Sequence, residues 1–300
     1  MSKPSSLTMV RIEEAPVRAE FVRDAEATAR LPVVVEKPLP FLFRLYSKSW
    51  LRKAMILVVL ALVWEAYGRY LNNDLLFPTF SATVSAFVTD IVSGVLPARA
   101  WSSIKVLLMG YGCGIALASV LTGLAIMSRI GTDFLETLTS MFNPLPAIAL
   151  LPLALIWFGL GNGSLVFVLV HSVTWAIALN THSGFLSVSS TLKMVGRNYG
   201  LSGFDYIRKI LIPAAFPSIL TGLKIGWAFA WRTLIAAELV FGVSSGSGGL
   251  GWFIFENKNS LDIPHVFAGL LTVIIIGLVV ENLLFRAIEN HTIGKWGMQS

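Results

Sequence analysis

Charge is what this sequence has least of. Charged residues make up 13% of the 300 positions while apolar residues make up 55%, about half the charge content of an ordinary soluble domain. Sixteen of the forty charged side chains lie in the first 53 positions, leaving 24 for the other 247. A soluble monomer of that composition could not cover its surface, so the remainder reads as a membrane protein. Cysteine is nearly absent too. Cys113 alone, inside an apolar run, excludes an intrachain disulfide framework and any cysteine-based zinc site. The net charge of +6 comes from basic residues scattered singly at the ends of apolar runs, which argues for membrane topology and against a nucleic-acid surface.

What is present is a series of long apolar runs. Residues 1–43 carry six basic and six acidic side chains, several prolines and no apolar block, so they lack the core of a signal peptide and are expected to be a cytosolic tail, either disordered or with a surface helix over the Ala-, Glu- and Arg-rich stretch Glu13 to Arg30. Six segments then follow, at 54–71, 104–127, 134–158, 165–186, 216–243 and 264–288. Each can span, since about 20 residues at 1.5 Å rise cross a hydrocarbon core of roughly 30 Å. With the N-terminus inside, the cytosolic flanks hold Arg44, Lys48, Arg52, Lys53, Arg129, Lys193, Arg197, Arg208, Lys209, Arg286 and Lys295. The other side holds only Arg69, Arg99, Lys105 and Lys258. This asymmetry predicts both termini in the cytosol. Residues 1–53 then form a tail and basic flank, 54–288 a six-span domain and 289–300 a cytosolic end.

Two connections exceed turn length. In 72–103, Val84, Phe87, Val88, Ile91 and Val92 recur at helical spacing after Ser81 and predict an amphipathic helix at the membrane surface. In 187–215, Ser189 or Ser190 can cap a helix that stops at Gly200, the residue suited to a left-handed C′ position. Ser202, with Asp205 three residues on, starts a second helix that Pro213 is expected to end. Phe204, Tyr206 and Ile207 beside Arg208 and Lys209 form an aromatic and basic surface suited to a protein groove; contact with lipid headgroups is the other reading.

At these residues the chain resembles a known family. Gly200, nine residues, Ile210, one residue, Ile212 and Pro213 match the second half of the cytoplasmic loop signature of ATP-binding-cassette importer permeases, E-A-A, three residues, G, nine residues, I, one residue, L-P. PAAFPSILTGLKIGWAFAWRTLIAAELV and TIGKW are similar to the taurine, sulfonate, nitrate and bicarbonate branch, and LFPTFSATVSAF, ALLPLALIWFGLG and SSGSGGLGWFI stand in the family's order. The resemblance implies an all-α polytopic membrane protein, six transmembrane helices of the type I ABC importer permease architecture with a cytoplasmic coupling helix, in a bacterial inner membrane. It implies partners: ABC ATPase subunits carrying ATP and magnesium, a second permease copy in a homodimer, a periplasmic or lipid-anchored solute-binding protein, and membrane lipid. No cofactor is expected in this chain and no nucleic acid as partner. ATPase contact is expected from Lys193, Arg197, Gly200, Ser202, Phe204, Asp205, Tyr206, Ile207, Ile210 and Pro213. The E-A-A triplet falls on Met194, Val195 and Gly196, so the family's loop glutamate is absent, and contact must rest on shape and apolar packing or on Lys193 and Arg197.

Other motifs point the same way. GSGGLG at 246–251 follows an apolar helix and not a strand, so it reads as close backbone packing and not as a dinucleotide loop. FGLGNGS at 158–164 reads as a tight turn. Pro144, Pro146 and Pro152 each remove a donor from the third span, as a translocation path or simple kinked packing would explain. His171, Thr174, Ala178, Thr181 and His182 share a face of the fourth span, with the histidines about 16 Å apart and unable to share a metal; a cavity stripe or interhelical hydrogen bonding accounts for them. Lys224, Trp227, Trp231, Ile235 and Glu238 share a face of the fifth, with Arg232 about 80° aside. An arginine near midplane costs roughly 2.5–3.5 kcal/mol on insertion scales and must face protein or water. Either it serves an anionic solute, or it pairs with Glu65 or with Glu238 of a second copy. The translocation path is therefore expected at Arg232, Glu238, Trp231, Thr181 and His182. A secondary transporter would be expected to show two corresponding interrupted helices, and a membrane enzyme would cluster its catalytic groups, whereas His171, His182, His265 and His291 are dispersed.

Overall fold

A computed structural model describes residues 48–241 and 248–292. The tail at 1–43, Arg44, the Gly-Val-Ser-Ser-Gly-Ser stretch at 242–247, Lys295 and most of TIGKW lie outside the described residues. The chain divides into two units at residue 56; of the first, only the opening of the first helix is described.

Among the described residues every regular element is helical. The order is α1 (Ser49–Leu71), α2 (Phe80–Val92), α3 (Val95–Ala125), α4 (Arg129–Phe142), a 3₁₀ turn (Ala147–Leu150) running into α5 (Leu151–Phe158), α6 (Asn162–Ser187) and α7 (Ser190–Asn198). Then come α8 (Gly203–Tyr206), a π turn (Ile207–Leu211), α9 (Ile212–Phe241), α10 (Leu250–Asn259), α11 (Ile263–Val279), a π turn (Val280–Phe285) and α12 (Arg286–His291). Five stretches are long and apolar enough to cross a membrane, and the bent pair 129–158 makes a sixth by length and composition.

Burial ranks the spans. Half of the most apolar window of α6 is buried, against 6% for α1, so α6 is the axis of the bundle and α1 an outer helix whose Leu57 to Val63 side chains are mostly exposed. Helices α3 and α9 both pack against α6 and touch each other, Tyr111 Oη–H of α3 donating to Leu223 C=O of α9 at 2.9 Å. The α3 contact depends on Gly110 and Gly114, where an added Cβ would stand 2.5 Å from Leu169 Cβ and 2.6 Å from Val173 Cβ. This small-xxx-small stripe lets two backbones approach where dispersion, and not water exclusion, drives association. Leu107, Val168, Leu220, Ala230 and Leu234 fill the core around it.

The third span breaks among its prolines, as their lost donors lead one to expect: α4 and the 147–158 segment meet at 86°. Pro146 sits extended at φ −61°, ψ 119° at the break, while Pro152 lies in the first turn of α5, where a missing N–H breaks no bond. Three other expectations need correction. Pro213 does not end a helix. Residues 203–240 run on as one apolar stretch, and the π turn at 207–211 is the kind of wider turn that accommodates a lost donor. The connection after α1 closes at Gly94, since α3 starts at Val95 with Pro97 in its first turn. Finally, α2 is capped by Thr79, whose side chain accepts from Ala82 N–H, and it buries Thr83, Ala86 and Asp90 while Val88, Ile91 and Val92 stay exposed. Its polar edge is the one that packs on α11, because Asp90 meets His265 there.

Candidate functional site

Two regions concentrate the residues singled out by sequence. The first is the bend between α6 and α9. Ser189 Oγ accepts from Leu192 N–H and starts α7. Gly200, at φ +72°, ends it with Leu201 N–H donating to Gly196 C=O at 3.1 Å, a Schellman closure that a side chain at residue 200 would strain. Ser202 holds the extended N-cap conformation of α8 without a side-chain bond, so the capping box with Asp205 is not formed; Asp205 pairs with Lys209 at 3.3 Å instead.

Tyr206 and Ile207 do not project outward as expected. They pack on a small apolar cluster of Phe185, Val188, Leu211 and Ala215. An added Cβ on Gly196 would stand 2.9 Å from Tyr206 Cε2 and 3.0 Å from Ile210 Cγ1, so α7 presses directly on this turn. Lys193 is half-buried, its Nζ donating to Leu186 C=O at 3.2 Å, a favourable place for a cation at a helix C-terminus. Exposed at the bend are Phe204 at 73%, Tyr199 at 81% and Met194 at 56%, beside the exposed Arg197 and Arg208. Pro213 is half-buried in the first turn of α9. The loop is a tightly turned knuckle with an apolar tip to which Tyr199 and Met194 also belong.

The second region is a cavity of about 280 Å³ at the break of the bent pair. Phe142 and Asn143 from the break, His171 and Trp175 from α6, and Phe229 and Arg232 from α9 line it. Phe142 and Trp175 stack at 5.2 Å and 13°, and His171 stands edge-on to both at 6.2 Å. Arg232 Nε–H donates to Ala228 C=O at 3.0 Å, and its guanidinium lies 5.3 Å over the Phe229 ring. Among the described residues no carboxylate lies within ion-pair distance of it. Pairing with Glu65 in the same chain is excluded, because Glu65 holds Arg69 at 2.7 Å and accepts from Ser81 N–H and Oγ–H.

The remaining path residues are not brought together. His182 lines a separate cavity of about 230 Å³ with Asn143 and Pro144, and Thr181 is buried beside it in sequence. Trp231 donates from Nε1 to Val273 C=O at 3.3 Å and borders a third cavity, of about 210 Å³, that reaches Arg232 from the other side along with Lys224 and Glu281. Lys224 pairs with Glu289 at 2.6 Å. Glu238 lines none of these. It is buried, takes Ser103 Oγ–H at 2.8 Å and Gly251 N–H at 2.9 Å, and Ser103 Oγ accepts in turn from Leu250 N–H at 2.9 Å. An added Cβ on Gly249 would collide with the Glu238 carboxylate. The described part of the glycine run thus packs its backbone on this pair.

Phe142, Asn143, Trp175 and Phe229 escaped the sequence reading. Two were within reach of it: Trp175 is one helical turn from His171, and Phe229 three residues before Arg232. Phe142 and Asn143 arrive only through the bend. Among the described residues no three His, Cys, Asp or Glu side chains cluster closely enough to hold a metal ion.

Comparison with known proteins gives these positions a setting. Residues 110–292 match the family described as binding-protein-dependent transport system inner membrane component. A Methanocaldococcus jannaschii protein named as an ABC transporter permease is 31% identical over 82% of this chain and 92% of its own length. The nitrate import permease protein NrtB of Synechocystis is 29% identical over 87% and 95%. The taurine transport system permease protein TauC of Escherichia coli is 27% identical over 78% and 85%.

Proposed function

This chain belongs to the family of binding-protein-dependent transport system inner membrane components, and from that premise we propose that it is the permease subunit of an ATP-driven importer for a small anion or organic anion. Relatives named for nitrate and taurine support the solute class. So does an arginine in the wall of a cavity between spans, since such a charge is tolerated where water or a solute meets it. The chain spans the membrane with both termini cytosolic, pairs with a second copy and leaves ATP and magnesium to separate ATPase subunits. A solute-binding protein delivers cargo to the opposite face.

The observation that carries this reading is the knuckle at Gly200: an exposed Phe204, Tyr199 and Met194 on a bend pinned to α6 and α9. Closure of paired ATPases would push two such knuckles together and, because Tyr206 and Ile207 are packed on the feet of α6 and α9, tilt the spans that line the cavity. The missing loop glutamate is consistent with contact through apolar shape. Gly200→Val should strain the turn and Phe204→Asp should put a charge into the contact. Both variants are expected to insert normally and to lose ATPase stimulation in reconstituted complexes; full stimulation in both would remove the knuckle from the mechanism.

A further inference from the structure

The cavity at Arg232 is larger and flatter-walled than a compact oxyanion requires. Its volume of about 280 Å³ far exceeds the ~10–15 Å³ that admits one water, and a nitrate ion would fill little of it. Phe142 and Trp175 present stacked rings, Phe229 lies beneath the guanidinium, and His171 closes an edge. Arg232 is the one full charge in the lining, which contains no carboxylate. An aminosulfonate would set its ammonium in an open cavity whose lining offers no carboxylate. Polar groups without partners face it: the Asn143 amide is in the wall, and the Nε1 donor of Trp175 and both ring nitrogens of His171, of which a neutral ring protonates one, are buried with no partner among the described residues.

We propose that this cavity binds an organic anion with a flat apolar body, such as an aromatic sulfonate or carboxylate, in preference to a compact inorganic oxyanion. The acid group meets the forked donors of Arg232, whose plane Phe229 already orients, and the ring lies among Phe142, Trp175 and Phe229. This rests on the permease reading and narrows its cargo.

The test uses the full chain with its ATPase in nanodiscs and isothermal titration at fixed ionic strength with benzenesulfonate, methanesulfonate and nitrate. Benzenesulfonate is expected to bind at least about tenfold more tightly than either of the others, equivalent to about 1.4 kcal/mol. Trp175→Leu and, as a milder change, Phe229→Leu should each shrink that preference, while Arg232→Gln should weaken both sulfonates alike. Equal or tighter binding of methanesulfonate or nitrate by the unaltered protein, no binding of any probe, a preference that survives both ring variants, or indifference to Arg232→Gln would each overturn the proposal. Retention of the ATPase on the particles reports the permease reading separately. Particles that keep the ATPase but ignore the ring lose only the cargo class; binding of benzenesulfonate at Arg232 by a chain that never retains an ATPase keeps the site and defeats the transporter.

Discussion

Single side chains hold the C-terminal end of α9 and the packed edge of α2. Ser103 donates to Glu238 and accepts from Leu250 N–H, so Ser103→Ala leaves one buried donor and one acceptor short. It should lower stability by about 1–3 kcal/mol, measurable as a lower melting temperature. In a Glu238→Met background the same change should cost less, because the pair acts as a unit. Asp90 is a different case. Its Oδ2 is buried with no hydrogen-bond partner among the described residues, 3.7 Å from His265 Nε2, while His265 Nδ1 stands 2.7 Å from Asp262. Burial raises the Asp90 carboxyl above its ordinary 3.8, His265 draws it partly back, and Asp262 adds to the rise. A raised value in the fold means the contribution to stability is complete below 3.8 and lost as pH climbs through the higher folded value. Asp90→Asn lacks that titration, so the melting temperature of the unaltered chain should fall relative to the variant as pH rises from 4 to neutrality; parallel curves would refute this. Sequence made Arg232 and Glu238 conspicuous as charges in a span. It could not divide them into a cavity residue and a buried clamp, because that depends on which neighbouring helix each one faces.

Among elements, the contact between α3 and α6 is the one most exposed to change. Gly112 on α3 has nothing within 4 Å of an added Cβ, whereas Gly114 would meet Val173 Cβ at 2.6 Å. Gly112→Ala should alter stability by less than about 0.5 kcal/mol, while Gly114→Ala, one half-turn away, should cost about 1–3 kcal/mol by overpacking. Melting of the two variants side by side checks this. The stripe Gly110, Gly114, Ala118 was readable as small-xxx-small but its partner helix was not. Helix existence followed from apolar run length: five of the six segments are single helices long and apolar enough to span, and the other is the bent pair 129–158, which qualifies when its halves are taken together. Prolines were the poor guide: Pro146 marks the 86° break, Pro152 sits harmlessly in a first turn, and Pro213 is carried through by a π turn. The same residue type breaks, starts or joins a helix according to whether its missing N–H would have had an intrahelical acceptor.

For the whole molecule, the Lys and Arg asymmetry predicts six crossings with both ends inside. With Cys113 replaced, single cysteines at 74 and 258 should label with an impermeant thiol reagent in intact cells, and cysteines at 129 and 197 should not; the reverse pattern would overturn the topology. Composition was enough to fix membrane residence, since 24 charged residues in 247 cannot solvate a surface, and the order of motifs along the chain was enough to fix the family. Both depend on residue type and spacing alone. The cavity at Arg232 and the inward turn of Tyr206 and Ile207 depend instead on three segments far apart in sequence meeting at α6. That meeting is governed by how closely small residues let backbones approach and by the angle at which α4 gives way to α5, and neither is a property of any one stretch of chain.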